Sequence, residues 1–293
     1  MSVMKYASSP LIDTDISLAH WDEIHSSRTN LAPKLKTASI NVNKFLLSHT
    51  TILASVMCES GAEDWLIKPE CSHLVNNNHD AFENKVVEMA YKTFKGAFNF
   101  VEHYQNSKAS KGYIVDAILR KITLGDSGVW VYYCDILVAT DLKHKQLVDD
   151  IQSKRVRYLS MGCITDMITC SYCGAHNGGE GCACSHLANS KGRFLTDADG
   201  IPRRVAELCG NVSLPGGGVK FVEASWVATP AFPGAAQRSV VSAEWSGPES
   251  GSKVASQIPT DGIAKVASVI DAELPSPLDR SGHVAKTEMR RLR

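Results

Sequence analysis

The chain lacks net charge, a long apolar run and a secretion signal. Its 31 basic and 31 acidic residues cancel, so net charge indicates neither a nucleic-acid nor a membrane partner. No segment approaches the roughly 20 apolar residues of a membrane-spanning helix. The first ten residues lack the basic-then-apolar order of a signal peptide. We therefore expect an intracellular protein with no membrane partner and no specific nucleic-acid partner.

Length and composition predict one main domain with extensions. A chain of 293 residues with 44% hydrophobic content can bury one core of roughly 200 residues plus appendages. Residues 1–43 mix charge, Ser and Asn and are predicted as an N-terminal extension. Residues 44–240 are predicted as the main domain. Ser, Gly, Pro, Ala and Lys dominate after Pro233, so residues 241–293 are predicted as a flexible tail.

Apolar patterns in the main domain predict both strands and a helix. Residues 45–57 are rich in β-branched and apolar types, which is typical of buried strands. Residues 113–138 predict two strands joined at a Gly-Asp-Ser-Gly turn, 125–128. Residues 191–209 are predicted to be irregular. A helix is predicted over residues 81–94, with its apolar face at Phe82, Val86, Met89, Ala90 and Phe94.

Cysteine usage separates into two groups. Four of the nine cysteines crowd into residues 170–186, within a predicted loop insertion at 168–190. The other five are expected to be small buried hydrophobic residues: Cys58, Cys71, Cys134, Cys163 and Cys209.

The crowded loop has the ligand spacing of a structural zinc site. Cys170 and Cys173 form a C-x-x-C pair on a Cys-Gly turn, which can bind one face of a tetrahedral zinc ion. His186 with either Cys184 or Cys182 completes the shell, and His176 is a poorer option. A disulfide or redox pair is the competing explanation. A loop so rich in glycine has too little apolar content to fold without a bound metal ion or another cross-link. A thiolate-rich closed shell also argues against catalytic zinc.

Ser160 and His103 are candidates for nucleophilic chemistry. Ser160 lies in Tyr158-Leu-Ser-Met-Gly162, after a strand-like run at 129–138 and a polar helical pattern at 141–157. A serine becomes a nucleophile only when a base takes its proton. His103 is the candidate base because an apolar run there breaks into a Ser/Lys/Gly-rich loop, where side chains meet solvent and ligands.

Four segments follow one another in a particular order: His103, then 111–119, then Leu159-Ser-Met-Gly162, then 221–231. In this order they resemble the prohead (capsid maturation) serine proteases of tailed phages, which resemble herpesvirus assemblins in fold. That family places the histidine first, then a Leu-Ser-hydrophobic-Gly segment, then a Glu-Val-Ser-like strand ending in Pro-Ala. The ordered set is more specific than any one of its parts.

The resemblance implies a fold and an activity. The expected fold is α+β, with a mostly antiparallel, barrel-like, assemblin-like core flanked by helices. The expected activity is that of a serine endopeptidase that cleaves scaffold and capsid proteins during prohead maturation. Ser160 would be the nucleophile and His103 the base. The implied location is the host cytoplasm, inside the assembling prohead, with a homo-oligomer as one option.

The third catalytic residue is left with two candidates. Glu223, in the Glu-x-Ser strand, matches the family's acidic position and is the first choice, whereas Asp135 is the alternative. The second histidine of assemblins has no clear match. Backbone N–H groups near Met161 and Gly162 are the expected oxyanion donors, because glycine allows close backbone approach.

The resemblance also implies self-cleavage in the tail, and two rival functions remain. Relatives in this family often cut themselves after a glutamate, and Ser242-Ala-Glu244 and Asp271-Ala-Glu273 offer such sites.

One rival function is a zinc-bearing module that binds nucleic acid or scaffold. The loop carries almost no Arg or Lys, which argues against this function. The other is a non-catalytic capsid-core protein that kept the protease fold.

Overall fold

A computed structural model describes residues 3–6, 40–41, 43–178, 184–212 and 218–241. None of the helices in these ranges is long and apolar enough to cross a membrane. The α-helices are α1 (Asn84–Ala90), α2 (Lys145–Gln152) and α3 (Ser185–Ser190). The strands are β1 (Val3–Tyr6), β2 (Phe45–Ala54), β3 (Asp80–Ala81), β4 (Phe98–Val101), β5 (Gly112–Thr123), β6 (Trp130–Asp141), β7 (Tyr158–Thr165), β8 (Met167–Cys170), β9 (His176–Gly178), β10 (Phe194–Thr196), β11 (Pro202–Arg204), β12 (Glu207–Cys209), β13 (Val219–Val227) and β14 (Gln237–Val241).

These strands form one large sheet and two small ones. The large sheet has the order β1-β7-β13-β4-β5-β6-β2-β14, the second has β3-β12-β8-β9, and β10 pairs with β11. All pairs are antiparallel except β13 with β4 and β12 with β3. The α+β, mainly antiparallel prediction is therefore confirmed. The expected barrel-like core is not found in closed form, because β1 and β14 are the two edges of the large sheet over the described ranges.

The central hairpin and its neighbour agree with the apolar pattern of the sequence. All ten residues of β2 are buried, as the run of β-branched and apolar residues predicts. Strands β5 and β6 are joined at the predicted turn, where the Leu124 N–H donates to the Val129 carbonyl at 2.7 Å. Gly125 and Gly128 have φ angles of 57° and 73°, a backbone conformation that glycine adopts at little cost.

The predicted helix at 81–94 is shorter than expected and faces the core differently. It consists of α1 followed by one 3₁₀ turn, Tyr91–Phe94. Its buried apolar residues are Val86, Val87, Ala90 and Phe94. Met89, predicted to face the core, is 70% exposed. Successive helical residues are about 100° apart around the helix axis, so Met89 points roughly 100° away from the middle of the buried face.

One further expectation needs correction. Residues 191–209 are not irregular, since they contain β10, β11 and β12. The predicted zinc-loop insertion at 168–190 contains β9 and α3 among its described residues. Strand β14 pairs with β2 and ends at Val241, next to the predicted domain boundary at residue 240. Most of the predicted N-terminal extension and the tail from residue 242 lie outside the described residues, whereas Val3–Tyr6 pairs with β7.

Candidate active site and metal centre

Ser160 is the third residue of β7 and lies within the large sheet. Strand β13 runs antiparallel beside it, with Ser225 directly opposite Ser160 and Glu223 opposite Gly162. Directly opposed residues share one face of a sheet, with Cβ atoms about 4.5–5.5 Å apart, and residues two apart along a strand also share a face. The sheet therefore groups Ser160, Ser225 and Glu223 on one face. Ser160 is only 2% exposed.

His103 reaches the same group from the turn that follows β4. Its Nδ1 donates to Oε1 of Glu223 at 2.6 Å, and Ser225 Oγ donates to Oε2 of the same carboxylate at 2.6 Å. The His103 side chain is 12% exposed and that of Glu223 is 1% exposed. When Nδ1–H is given to the carboxylate, the lone pair of the neutral ring lies on Nε2. The carboxylate thus fixes the tautomer that a general base requires.

The turn that carries His103 has an unfavourable backbone conformation. Glu102 and His103 have φ angles of 49° and 55°, which cost about 1 kcal/mol or more for each non-glycine residue. The Glu102 N–H donates to the Trp226 carbonyl at 3.0 Å. Glu102 Oε1 accepts from the Ala228 N–H at 2.8 Å. Contacts with the end of β13 therefore hold the histidine in place despite the backbone cost.

Gly162 leaves room for the carboxylate that contacts His103. A Cβ atom at position 162 would lie 2.6 Å from Glu223 Oε1, closer than real contacts allow, and 3.0 Å from its Cγ, which is a tight contact. Met161 and Gly162 both lie inside β7, where N–H groups point toward neighbouring strands. Their role as oxyanion donors stays a prediction.

Asp135, the alternative acid, belongs to a different buried cluster. Its Oδ2 accepts from His49 Nε2 at 3.0 Å, and Arg120 donates to both oxygens, at 2.7 Å from Nε and 3.0 Å from Nη2. Thr51 Oγ1 donates to Oδ1 at 2.8 Å. Burial raises the pKa of Asp135, but the hydrogen bonds from His49 and Arg120 outweigh burial and hold the pKa well below its ordinary value. Glu223, by contrast, contacts His103 directly.

Replacing Asp135 with asparagine is expected to lower the free energy of unfolding by about 3–5 kcal/mol, because Arg120 would remain buried without its counter-charge. Asp126→Asn, in the exposed β5–β6 turn, is the matched control and should change stability by about 0.5 kcal/mol or less. Urea unfolding at pH 7 measures both variants.

The lowered pKa of Asp135 also predicts a pH dependence. A lowered folded-state pKa stabilises the fold above the unfolded value of about 3.9, and that stabilisation is lost as pH falls through the folded pKa. The difference between wild type and Asp135→Asn should therefore shrink below about pH 4. An equal difference at pH 3 and pH 7 would contradict a structural ion pair.

Four of the predicted zinc ligands lie together. Ligand atoms of Cys170, Cys173, Cys184 and His186 all lie within 4.8 Å of one another. Four ligands around a zinc ion with 2.3 Å Zn–S bonds stand about 3.8 Å apart, so a small contraction would complete a tetrahedral shell. The group could therefore hold a metal ion and is compatible with zinc. Cys182, the alternative to Cys184, lies outside the described residues.

The surroundings of this cluster suit metal ligands. Backbone N–H groups of Tyr172 and Cys173 donate to the Cys170 sulfur, although burial raises the pKa of this thiol to about 12. Gly174 has a φ angle of 69°, and a Cβ there would strike the Trp65 ring at 2.6 Å. The Tyr172 ring lies 4.7 Å from the ring of His186. Cys170 and Cys173 are both free thiols, without the competing disulfide.

The remaining candidates behave as ordinary structural residues. His176, the poorer ligand option, is exposed, and its Nδ1 contacts the Gly174 carbonyl at 3.2 Å. The five scattered cysteines are buried, except Cys58, which is half-buried.

Sequence reasoning missed most partners of the two histidine–carboxylate pairs. Ser225 was visible only as the last residue of Glu-x-Ser, where its separation of two residues from Glu223 gave the available signal. His49, Thr51 and Arg120 carry no motif. Their only signal is that polar residues interrupt a run otherwise typical of a buried strand.

Comparisons with protein-family models, with curated proteins and with solved structures give no match to this chain. The likeness to prohead proteases therefore depends on the ordered motifs alone, and the chemistry has to be argued from the site itself.

Proposed function

We propose that the chain is a serine endopeptidase in which Ser160 is the nucleophile, His103 the base and Glu223 the residue that orients the base. The observation that carries the proposal is the 2.6 Å contact of His103 with Glu223, on the sheet face that also carries Ser160. The unfavourable backbone at His103 adds support, because such strain persists where surrounding contacts enforce it and clusters at functional sites.

The residues have distinct roles in the proposed reaction. Ser160 Oγ attacks the peptide carbonyl carbon while its proton passes to His103 Nε2. The C–N bond then breaks, and the leaving amine takes that proton, which leaves an acyl ester on Ser160. Water, deprotonated by the same nitrogen, hydrolyses the ester and restores the serine. Glu223 stabilises the positive imidazolium that forms in each half of the reaction.

The biological role follows from the motif order and is part of the same proposal. The chain would cleave scaffold and capsid proteins during maturation of a tailed-phage prohead, in the host cytoplasm. A structural zinc ion held by Cys170, Cys173, Cys184 and His186 would stabilise the segment after the nucleophile strand. The proposed tail cleavage near Glu244 or Glu273 concerns residues outside those that the structure describes.

A second candidate function is a non-catalytic, zinc-bearing capsid-core or scaffold-binding protein. The burial of Ser160 favours it, because a substrate carbonyl could reach this side chain only after neighbouring residues move. Ser160 borders a small cavity of about 20 Å³, which has room for about one water molecule. Reactivity of Ser160 separates the two functions.

A fluorophosphonate is expected to label wild-type protein at Ser160, with loss of fluoride, because the base that activates serine toward a carbonyl also activates it toward phosphorus. Peptide mass spectrometry identifies the modified residue. Ser127→Ala, an exposed serine in the β5–β6 turn, is the control and should label like wild type. Absence of any label at Ser160 would favour the non-catalytic function.

Gly162→Ala sharpens this test because it acts through Glu223. The added methyl would displace the carboxylate and leave His103 poorly oriented, so the labelling rate should fall about 10-fold or more. Circular dichroism should show that the sheet is retained. Unchanged labelling of a folded Gly162→Ala variant would argue against Glu223 as the orienting residue.

A further inference from the structure

Ser225 is a buried serine to which the proposed reaction assigns no role. It is 0% exposed, and its Oγ donates to Oε2 of Glu223 at 2.6 Å. The other oxygen of the same carboxylate, Oε1, accepts from His103 Nδ1, also at 2.6 Å. Each oxygen of Glu223 therefore has a short hydrogen bond, one from the proposed base and one from a serine.

The strands on either side of β13 show which other groups could serve Glu223. Ala224 and Trp226 belong to the main apolar core, so Glu223 and Ser225 lie on the opposite face. Residues in register on neighbouring strands share a face of the sheet. The register partners of these two residues are Phe98 and Phe100 in β4 and Gly162 and Ser160 in β7.

This neighbourhood contains few hydrogen-bond donors for the carboxylate. The side chains of phenylalanine and glycine have none. The phenylalanine rings of β4 are themselves buried, at 6% exposed for Phe98 and 4% for Phe100. Among these register neighbours, Ser225 and the proposed nucleophile Ser160 are the two hydroxyls. Because Ser225 donates to Oε2, Ser160 does not have to.

The carboxylate needs a hydrogen bond at each oxygen to hold one orientation. The last side-chain torsion of glutamate has broad preferences, so a single hydrogen bond at Oε1 leaves the group able to rotate. The Glu223 side chain is 1% exposed, which gives water little access to Oε2. A buried acceptor that loses its donor is unfavourable, and more so when it is charged. Ser225 meets both requirements from within the same strand.

We infer that Ser225 is a positioning residue: its hydroxyl fixes the Glu223 carboxylate toward His103 and leaves the Ser160 proton to the base. The inference rests on the proposed endopeptidase function. Without Ser225, Ser160 would be the hydroxyl that remains among the register neighbours, and it would compete as a donor to the carboxylate. The two serines of this face thus have different roles, since Ser160 reacts and Ser225 does not.

The orientation of the pair can be measured apart from catalysis in the Ser160→Ala variant. The readout is the proton on His103 Nδ1, followed by ¹⁵N-edited NMR. We expect it to exchange slowly with water in Ser160→Ala alone. Adding Ser225→Ala should speed this exchange about 10-fold or more, because the carboxylate then holds the imidazole less firmly. Ser48→Ala, an equally buried serine in β2, is the matched control and should leave the exchange unchanged.

The consequence for reactivity is measured with Ser160 intact. Ser225→Ala should lower the maximal rate of fluorophosphonate labelling about 10-fold or more, with the half-saturating reagent concentration unchanged, because orientation and not binding is lost. Ser48→Ala should label like wild type. Circular dichroism should show that both variants keep the sheet.

Unchanged proton exchange, unchanged labelling of folded Ser225→Ala, or label attached to Ser225 would each overturn the inference. The proposed function can fail separately. Faster exchange in the Ser225→Ala background, together with no labelling of wild type at Ser160, would retain the positioning role of Ser225 and refute the endopeptidase.

Discussion

Ser160→Ala is expected to abolish peptide-bond hydrolysis, with a fall in kcat of about 10⁴-fold or more, because the variant lacks the hydroxyl oxygen that would form the acyl ester. His103→Ala should lose as much. The double variant should lose little more than either single one, because nucleophile and base act as a unit. Processing of co-expressed scaffold and capsid protein, followed by gel electrophoresis and mass spectrometry, measures the effect.

The control is Ser127→Ala, which should process the substrates at the wild-type rate. Intact-mass analysis of the same samples also tests the tail, because wild type should end near Glu244 or Glu273 while Ser160→Ala keeps the chain to Arg293. Unchanged processing by a folded Ser160→Ala variant would refute the endopeptidase assignment. Full-length wild type under conditions where capsid protein is digested would refute self-cleavage alone.

Loss of the metal is expected to have the second largest effect. Purified protein should contain one zinc ion per chain by elemental analysis, and Cys170→Ser combined with Cys173→Ser should remove it. Metal binding and folding are coupled, with apparent free energies of about 10–16 kcal/mol in zinc-finger peptides. Even a fraction of this would lower the melting temperature by about 10 °C or more.

The structure predicts that the effect spreads to the nucleophile strand. Cys170 ends β8, which follows β7 after a single residue, and Cys170 pairs with Glu207 of β12. The metal-free double variant should therefore also lose fluorophosphonate labelling of Ser160. His176→Ala, in the same loop but outside the ligand group, is the control and should keep its metal. A zinc-free wild type, together with a double variant that melts like it, would refute the structural zinc ion.

Local patterns predicted the elements whose environment is uniform along the chain. Strand β2 is buried along its whole length, so its composition alone identifies it, and the β5–β6 turn is marked by its glycines. Strand β14 escaped prediction because a strand at the edge of a sheet needs only backbone pairing, and Gln237–Val241 has no apolar run. The three-residue strands β10 and β11 escaped because periodicity cannot be recognised over three residues.

The choice between Glu223 and Asp135 could not be made from the sequence, because the two acids differ in tertiary surroundings. Glu223 meets His103, 120 positions away, because β13 lies parallel to β4. Parallel pairing between distant segments leaves no local signal. Asp135 meets His49 across 86 positions for the same kind of reason. Likewise, spacing alone could not separate Cys182 from Cys184 as a ligand.

The left-handed turn at Glu102 and His103 predicts how the protein would respond to laboratory evolution. A library randomised at these two positions and selected only for resistance to heat should enrich glycine and asparagine at position 102, since these residues tolerate the conformation. The same library selected for hydrolysis should keep histidine at position 103. Selection for heat resistance would thus change position 102, whereas selection for hydrolysis would keep the histidine at position 103. The trade-off between stability and activity would then lie within a single turn.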